Sequence, residues 1–197
     1  MSTLHSKYIT VYTEANPNPN SLKFVLNTML VPEGVTFDFP DKQTAHKSTL
    51  VTELFDNFDF VQRVFVMNNF ITVTKNENVI WHDIAAEVKE YIKKYFEQGK
   101  PLLVPNVLKE YAATLNNEDE PEINKRIKQI LDEYIKPAVE GDGGAISFLS
   151  FENGLVTVQL QGACSGCPSS SMTLKSGIEN LLKSMIPEVK SVVAENM

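Results

Sequence analysis

The sequence predicts an α+β protein made of two small α/β domains joined by a linker, and three observations carry that prediction. Apolar residues switch repeatedly along the chain between alternation and a spacing of three to four, the marks of strands and helices. A polar, acidic stretch closed by proline, Asn116-Asn117-Glu118-Asp119-Glu120-Pro121, separates two halves that each hold a complete apolar pattern. Residues 122–197 then read in the order helix–strand–strand–helix–strand, enough for a small domain of its own. The expected division is a first domain over 1–97, a linker over 98–121 and a second domain over 122–197.

In the first half, Tyr8 to Tyr12 reads as a strand. Asn16-Pro17-Asn18-Pro19-Asn20 reads as a turn, because proline fixes φ and asparagine tolerates tight geometry. Leu22, Phe24 and Leu26 alternate as on a half-buried strand. Ala45 to Phe55 fits a short helix with Leu50, Val51, Leu54 and Phe55 on one side. Val64 and Val66 alternate, Asn68-Asn69 turns the chain, and Phe70 to Thr74 returns as the second arm of a hairpin. Ile80, Ile84, Val88, Tyr91, Ile92 and Tyr95 follow helical spacing up to Phe96. Gly99-Lys100-Pro101 then stops the helix.

In the second half, Ile123, Ile127, Ile130, Leu131, Tyr134 and Ile135 form the stripe of a helix ending near Pro137 and Gly141. Ile146 and Phe148 open a strand. Asn153-Gly154 is a strong hairpin signal, and Val156, Val158 and Leu160 alternate on the return. A cysteine-bearing loop follows. A helix from about Ser170 carries Leu174, Ile178, Leu181, Leu182 and Met185 and stops before Pro187. Val189 to Ala194 can add a last strand.

Composition narrows the function. Apolar residues make up 43% and charged residues 22%, ordinary for a globular chain. The net charge is −7, and Arg63 and Arg126 are the only arginines, which argues against nucleic-acid binding. No apolar run approaches the roughly 20 residues of a membrane helix. The first seven residues have neither an apolar signal core nor an Arg-rich amphipathic pattern, so a cytoplasmic protein is expected. With 2 cysteines, no disulfide framework holds the fold.

Those cysteines, Cys164 and Cys167, stand at Cys-x-x-Cys spacing in Gly162-Ala163-Cys164-Ser165-Gly166-Cys167-Pro168, between a strand and the start of a helix. Pro168 suits a first helical turn. A helix N-terminus favours thiolate over thiol, and thiolate is the form that binds metal or attacks disulfides. Gly166 lets the backbone pass tightly between the sulfurs. Ser165 and Ser169 to Ser171 can cap the helix or donate to sulfur. A tetrahedral metal or iron–sulfur site normally takes four protein ligands, and this chain offers two thiolates. Three chemistries compete: an iron–sulfur cluster shared by two chains, a thioredoxin-type dithiol, and half of a zinc site completed by dimerisation. The dithiol reading is weakened because at most one helix and one strand follow Cys167, too little for a thioredoxin fold. Zinc accepts the same sulfurs, so spacing separates it poorly from iron–sulfur.

Other candidates are weaker. His5, His46 and His82 are scattered away from the cysteine loop. Asp142 lies in a Gly-rich turn without a paired carboxylate or nucleophile. Gly141-Asp142-Gly143-Gly144 precedes a strand and lacks a Gly-Lys-Ser/Thr ending, so it is no phosphate loop. Trp81, Phe58 and Phe60 read as core.

The second half resembles the C-terminal domain of the NifU family, the Nfu-type iron–sulfur carriers. The resemblance is carried by Lys136-Pro137, Gly141-Asp142-Gly143-Gly144, Glu152-Asn153-Gly154, Leu160 through Ser171, Thr173-Leu174-Lys175, Gly177-Ile178-Glu179 and Ile186-Pro187-Glu188-Val189. The first half resembles the N-terminal domain of Nfu proteins through Asn16 to Phe24 and Phe70 to Lys75. The resemblance implies a non-enzymatic carrier that accepts a [4Fe–4S] cluster and hands it to apo-proteins. It implies a cluster bridging two subunits through Cys164 and Cys167, a homodimer on cluster binding, and an upstream scaffold as donor. Ala145 departs from the family, which often has an acid after the Asp-Gly-Gly stretch. The alternative from another class is a thiol–disulfide oxidoreductase using the same dithiol.

Overall fold

The computed structural model describes residues 8–114, 120–165 and 168–196. It divides into two compact units, one of Met1–Ala15 with Pro19–Leu115, the other of Asn16–Asn18 with Asn116–Met197.

The first unit is a five-stranded antiparallel sheet with helices. Its elements are β1 (Val11–Ala15), β2 (Ser21–Leu26), β3 (Thr36–Phe39), α1 (Thr49–Asn57), β4 (Val61–Met67), β5 (Phe70–Lys75), α2 (Trp81–Glu97) and α3 (Val107–Thr114). Strand order is β1-β2-β5-β4-β3. The hairpin at Asn68-Asn69 forms as expected. Asn68 takes φ 47°, a conformation asparagine accepts more readily than most residues. Phe24, Leu50, Leu54, Val64, Ile71, Val73, Val88 and Ile92 build one core. Strand alternation puts Val25, Phe65, Met67 and Phe70 on the other face, and they are buried too. The half-buried reading of β2 is therefore corrected. Lys23, between Leu22 and Phe24, sets its ammonium 4.5 Å from the Phe70 ring centroid and 3.1 Å from Glu14.

Three further expectations change here. The first strand begins at Val11, not Tyr8. The Asn27 side chain takes the Thr10 N–H and donates to the Tyr8 carbonyl, so a side chain replaces the ladder there. The helix expected over Ala45–Phe55 breaks at Ser48, which is extended (φ −137°) and accepts the Val51 N–H on its hydroxyl. A 3₁₀ turn, Thr44–Lys47, precedes it. Most of the expected linker belongs to the first unit. Leu102 and Val107 are buried in its core. The Ser48 hydroxyl donates to the Leu102 carbonyl at 2.6 Å, and Tyr111 on α3 stacks 5.5 Å from Phe37. Leu102-Leu103-Val104-Pro105 has no helical or strand period because it packs as an irregular strap, which periodicity cannot detect.

The second unit has the expected order. Its elements are α4 (Glu122–Ile130), α5 (Lys136–Gly141), β6 (Gly144–Glu152), β7 (Leu155–Gly162), α6 (Pro168–Met185) and β8 (Ser191–Asn196). The first helical run ends at Gly141, within the expected Pro137–Gly141 region, and passes through Pro137. A π-helical turn, Leu131–Ile135, joins α4 to α5. Pro137 then sits in the first turn of α5, where its missing N–H costs little, and the widened turn relieves its ring of the preceding carbonyls. Asn153 (φ 53°) and Gly154 (φ 90°) make the β6–β7 turn. β8 pairs with β7 in parallel, and α6 supplies the crossover that such a pairing needs. Ile127, Leu131, Val139, Ile146, Val158, Ile178, Leu182 and Val192 form this unit's core. Glu179 on α6 accepts from Lys183 Nζ and from the Val192 N–H of β8. The Lys183 bond first, then the Val192 bond, hold its carboxyl below the usual range. Among the described residues no helix is long and apolar enough to cross a membrane.

Candidate functional site

The cysteine loop leaves the end of the sheet's middle strand, β7. Two glycine turns hold its base. Gly143 (φ 78°) follows α5, and Gly162 (φ 64°) ends β7, both in the left-handed region that suits glycine. The Gly143 carbonyl accepts the Ala163 N–H at 3.2 Å, and the Gly162 carbonyl accepts the Ser165 N–H at 3.1 Å. The stretch resembling the family's Gly-Asp-Gly-Gly run is thus bonded directly to the loop that bears the cysteines, which explains why turn glycines occur in both places. Asp142 caps the end of α5 through its backbone.

Cys164 lies in the turn between β7 and α6, not on the helix. Its residue exposure is 5%, and its side chain belongs to the unit's apolar core. The Cys164 side chain therefore packs inward, against its own unit, and not toward solvent. Cys167 lies outside the described residues, as does His5; the side chains of Ser169 to Ser171 do too. Ser165 is buried. His46 and His82 are exposed on the first unit and join no site. Among the described residues no three His, Cys, Asp or Glu side chains gather.

Sequence reasoning missed two neighbours of Cys164. Asn18 is buried and donates from Nδ2 to the Ala163 carbonyl at 3.0 Å. With Pro17, Asp142, Ala163 and Cys164 it lines a hollow of about 10 Å³, room for about one water. The sequence marks Asn18 only as part of a Pro-Asn turn, and no periodic signal could pair it with Ala163. Gly144 is the other. A Cβ built on it would stand 2.6 Å from the Gln161 carbonyl oxygen and 2.9 Å from Cys164 Sγ. Its φ is not in the left-handed region, so crowding, not backbone freedom, is what asks for glycine there.

The first unit holds a polar cluster around Glu53. Tyr91 donates its hydroxyl to Glu53 Oε2 at 2.7 Å, and Lys100 Nζ lies 3.1 Å from Glu53 Oε1. Burial first, then the bond to Glu53, push the Tyr91 phenol up to about 12. The same hydrogen bond, reinforced by Lys100, holds the Glu53 carboxyl below its usual range.

Two family models match the chain. The NifU-like domain covers residues 127–193, and the N-terminal domain of the scaffold protein Nfu/NifU covers residues 11–99. A relative from Drosophila persimilis, "NFU1 iron-sulfur cluster scaffold homolog, mitochondrial", is 41% identical over 98% of this chain and 67% of its own length. Its counterpart from Drosophila grimshawi is 43% identical over 92% of this chain and 60% of its own. The chain therefore spans about two thirds, or slightly less, of the relatives it matches. A solution structure of a NifU-like protein from Saccharomyces cerevisiae aligns over 53% of this chain and 99% of its own, at TM-score 0.42 and 20% identity. The relatives are named as mitochondrial, which overturns the cytoplasmic expectation. That expectation rested on seven residues at the start of the sequence, and the chemistry of a folded chain does not record its compartment.

Proposed function

Since the chain belongs to the Nfu family of iron–sulfur cluster scaffold proteins, we propose that it carries a [4Fe–4S] cluster as cargo and passes it to apo-proteins. The observation that carries the reading is the Cys-x-x-Cys pair Cys164 and Cys167, the only cysteines of the sequence, with Cys164 in the turn that follows β7. Four thiolates hold a [4Fe–4S] cluster. Two chains, each giving Cys164 and Cys167, supply that number, so the loaded form is a homodimer with the cluster between its subunits. The cluster arrives from an upstream scaffold and leaves to apo iron–sulfur proteins. The relatives' names support a mitochondrial setting.

The frame of the loop supports this reading. The loop base is fixed by the Gly143 and Gly162 turns, so the thiol-bearing turn starts from a rigid frame. When bound, the cluster brings iron that a recipient's thiolates can take over. This chain's part is to present two sulfurs and to release them by exchange. A site at a subunit interface opens when the subunits separate, which is a physical route for that release.

The test is anaerobic reconstitution with iron and sulfide, read by Mössbauer spectroscopy and by mass in solution. One [4Fe–4S] cluster per dimer, lost in Cys164→Ala and in Cys167→Ala, is the expected result. A monomer without a cluster whose dithiol cycles reversibly with disulfides would replace the carrier with a thiol–disulfide oxidoreductase.

A further inference from the structure

The buried Cys164 side chain poses a problem for any cluster shared between chains. A sulfur packed in its own chain's core is not available to iron held partly by a second chain. The hollow beside it takes about one water, far less than a cluster needs. What allows this inward seat is Gly144, the first residue of β6. The Cys164 side chain occupies the space a Cβ would need: 2.9 Å to Sγ and 3.2 Å to Cβ. Real Cβ atoms do not approach others below about 3.0 Å. The Gln161 carbonyl, at 2.6 Å, closes the other side. By contrast, Gly141 and Gly177 in the same unit have nothing within 4 Å of a Cβ. Gly144 differs from those two by its contact with the cysteine.

We propose that Gly144 is the seat of Cys164, a positioning residue that lets the chain stow this thiol in its own core until the Cys164 side chain turns outward to meet a cluster. The inference rests on the carrier reading for its purpose and on geometry for its existence. In physical terms the Cys164 side chain has two positions. Inward, the thiol is covered and shielded from alkylating and oxidising reagents. Outward, it can join a second chain's sulfurs. A side chain at residue 144 removes the inward position.

The test uses the full, metal-free, reduced chain and iodoacetamide, with mass mapping to read Cys164 apart from Cys167. In the unchanged protein Cys164 should be alkylated at least ~10-fold more slowly than in urea. In Gly144→Ala most of that protection should vanish while thermal unfolding stays cooperative. Gly154→Ala is the matched control. It strains the far end of the same two strands, where φ is 90° and a Cβ would lie 2.8 Å from the Lys190 side chain. It should leave Cys164 protection as in the unchanged protein. Alkylation of the unchanged protein at the urea rate overturns the proposal. So does a folded Gly144→Ala with undiminished protection, or an equal loss in Gly154→Ala. If Gly144→Ala does not fold, the unchanged protein decides: a nuclear Overhauser contact between Gly144 Hα and Cys164 Hβ supports the seat, and its absence overturns it. No iron is present in any arm. A failed cluster reconstitution would therefore sink the carrier and leave the seat, and an exposed thiol would do the reverse.

Discussion

Tyr91 and Glu53 show how one hydrogen bond shifts two acids in opposite directions. The phenol gives its proton to the bond and the carboxylate accepts it, so tyrosine becomes harder and glutamate easier to ionise. The Tyr91 group, raised in the folded state from 10.0 to about 12, contributes stability that is fully present below pH 10 and lost as pH rises toward 12. Glu53, lowered in the folded state, contributes stability present above its unfolded value of 4.5 and lost as pH falls below it. Tyr91→Phe should therefore flatten the alkaline fall in urea midpoint between pH 10 and 12 and weaken the acid dependence; parallel curves for both proteins would refute the assignment. A second residue-scale prediction concerns Asp38 and Arg63. Arg63 Nε and Nη2 reach the two Asp38 oxygens at 2.8 and 2.6 Å, with the Asp38 side chain fully buried. Arg63→Met leaves that carboxylate without its forked partner and should cost about 3–5 kcal/mol in equilibrium urea unfolding.

At the scale of elements, legibility followed periodicity. The β4–β5 and β6–β7 hairpins and helix α2 carry their own repeat and turn residues, so they stand where the sequence suggests. Strand β3 was missed because Thr36-Phe37-Asp38-Phe39 is short and its alternation is interrupted by Pro40; it is held by ladder bonds to β4 and by the Asp38–Arg63 fork. The π turn at Leu131–Ile135 leaves no trace in the apolar stripe, since the stripe continues through it. At the site, the cysteine pair was plain from spacing. Its burial was not, because the contacts that cause it join Cys164 to Gly144 and Ala163 to Asn18, residues without a shared period. The β6–β7 turn yields a quantitative check. Asn153→Val puts a β-branched residue at φ 53°, which should lower second-unit stability by about 1–3 kcal/mol. Asn153→Gly should cost far less, and an equal loss in both, measured by thermal melts, would show that the turn conformation is not what asparagine supplies.

At the scale of the molecule, the two cores are separate clusters, each with its own sheet. A cavity in one should be felt mainly there. Leu54→Ala empties a fully buried position of the first core and should destabilise it by about 2–5 kcal/mol. Hydrogen exchange of β7 amides, in the second core, should remain unchanged; a matching rise in their exchange would mean that the cores unfold as one. The strap from Leu102 to Val107 has a practical side as well. Anyone trimming the chain at the end of α2, to isolate the cysteine-bearing half, would drag two apolar side chains out of the first core and into water. Such a fragment would be sticky for reasons unrelated to sulfur, and its self-association could pass for the pairing that a cluster demands. A cut just before Glu120 leaves the strap behind and keeps that confusion out of the dimer assay.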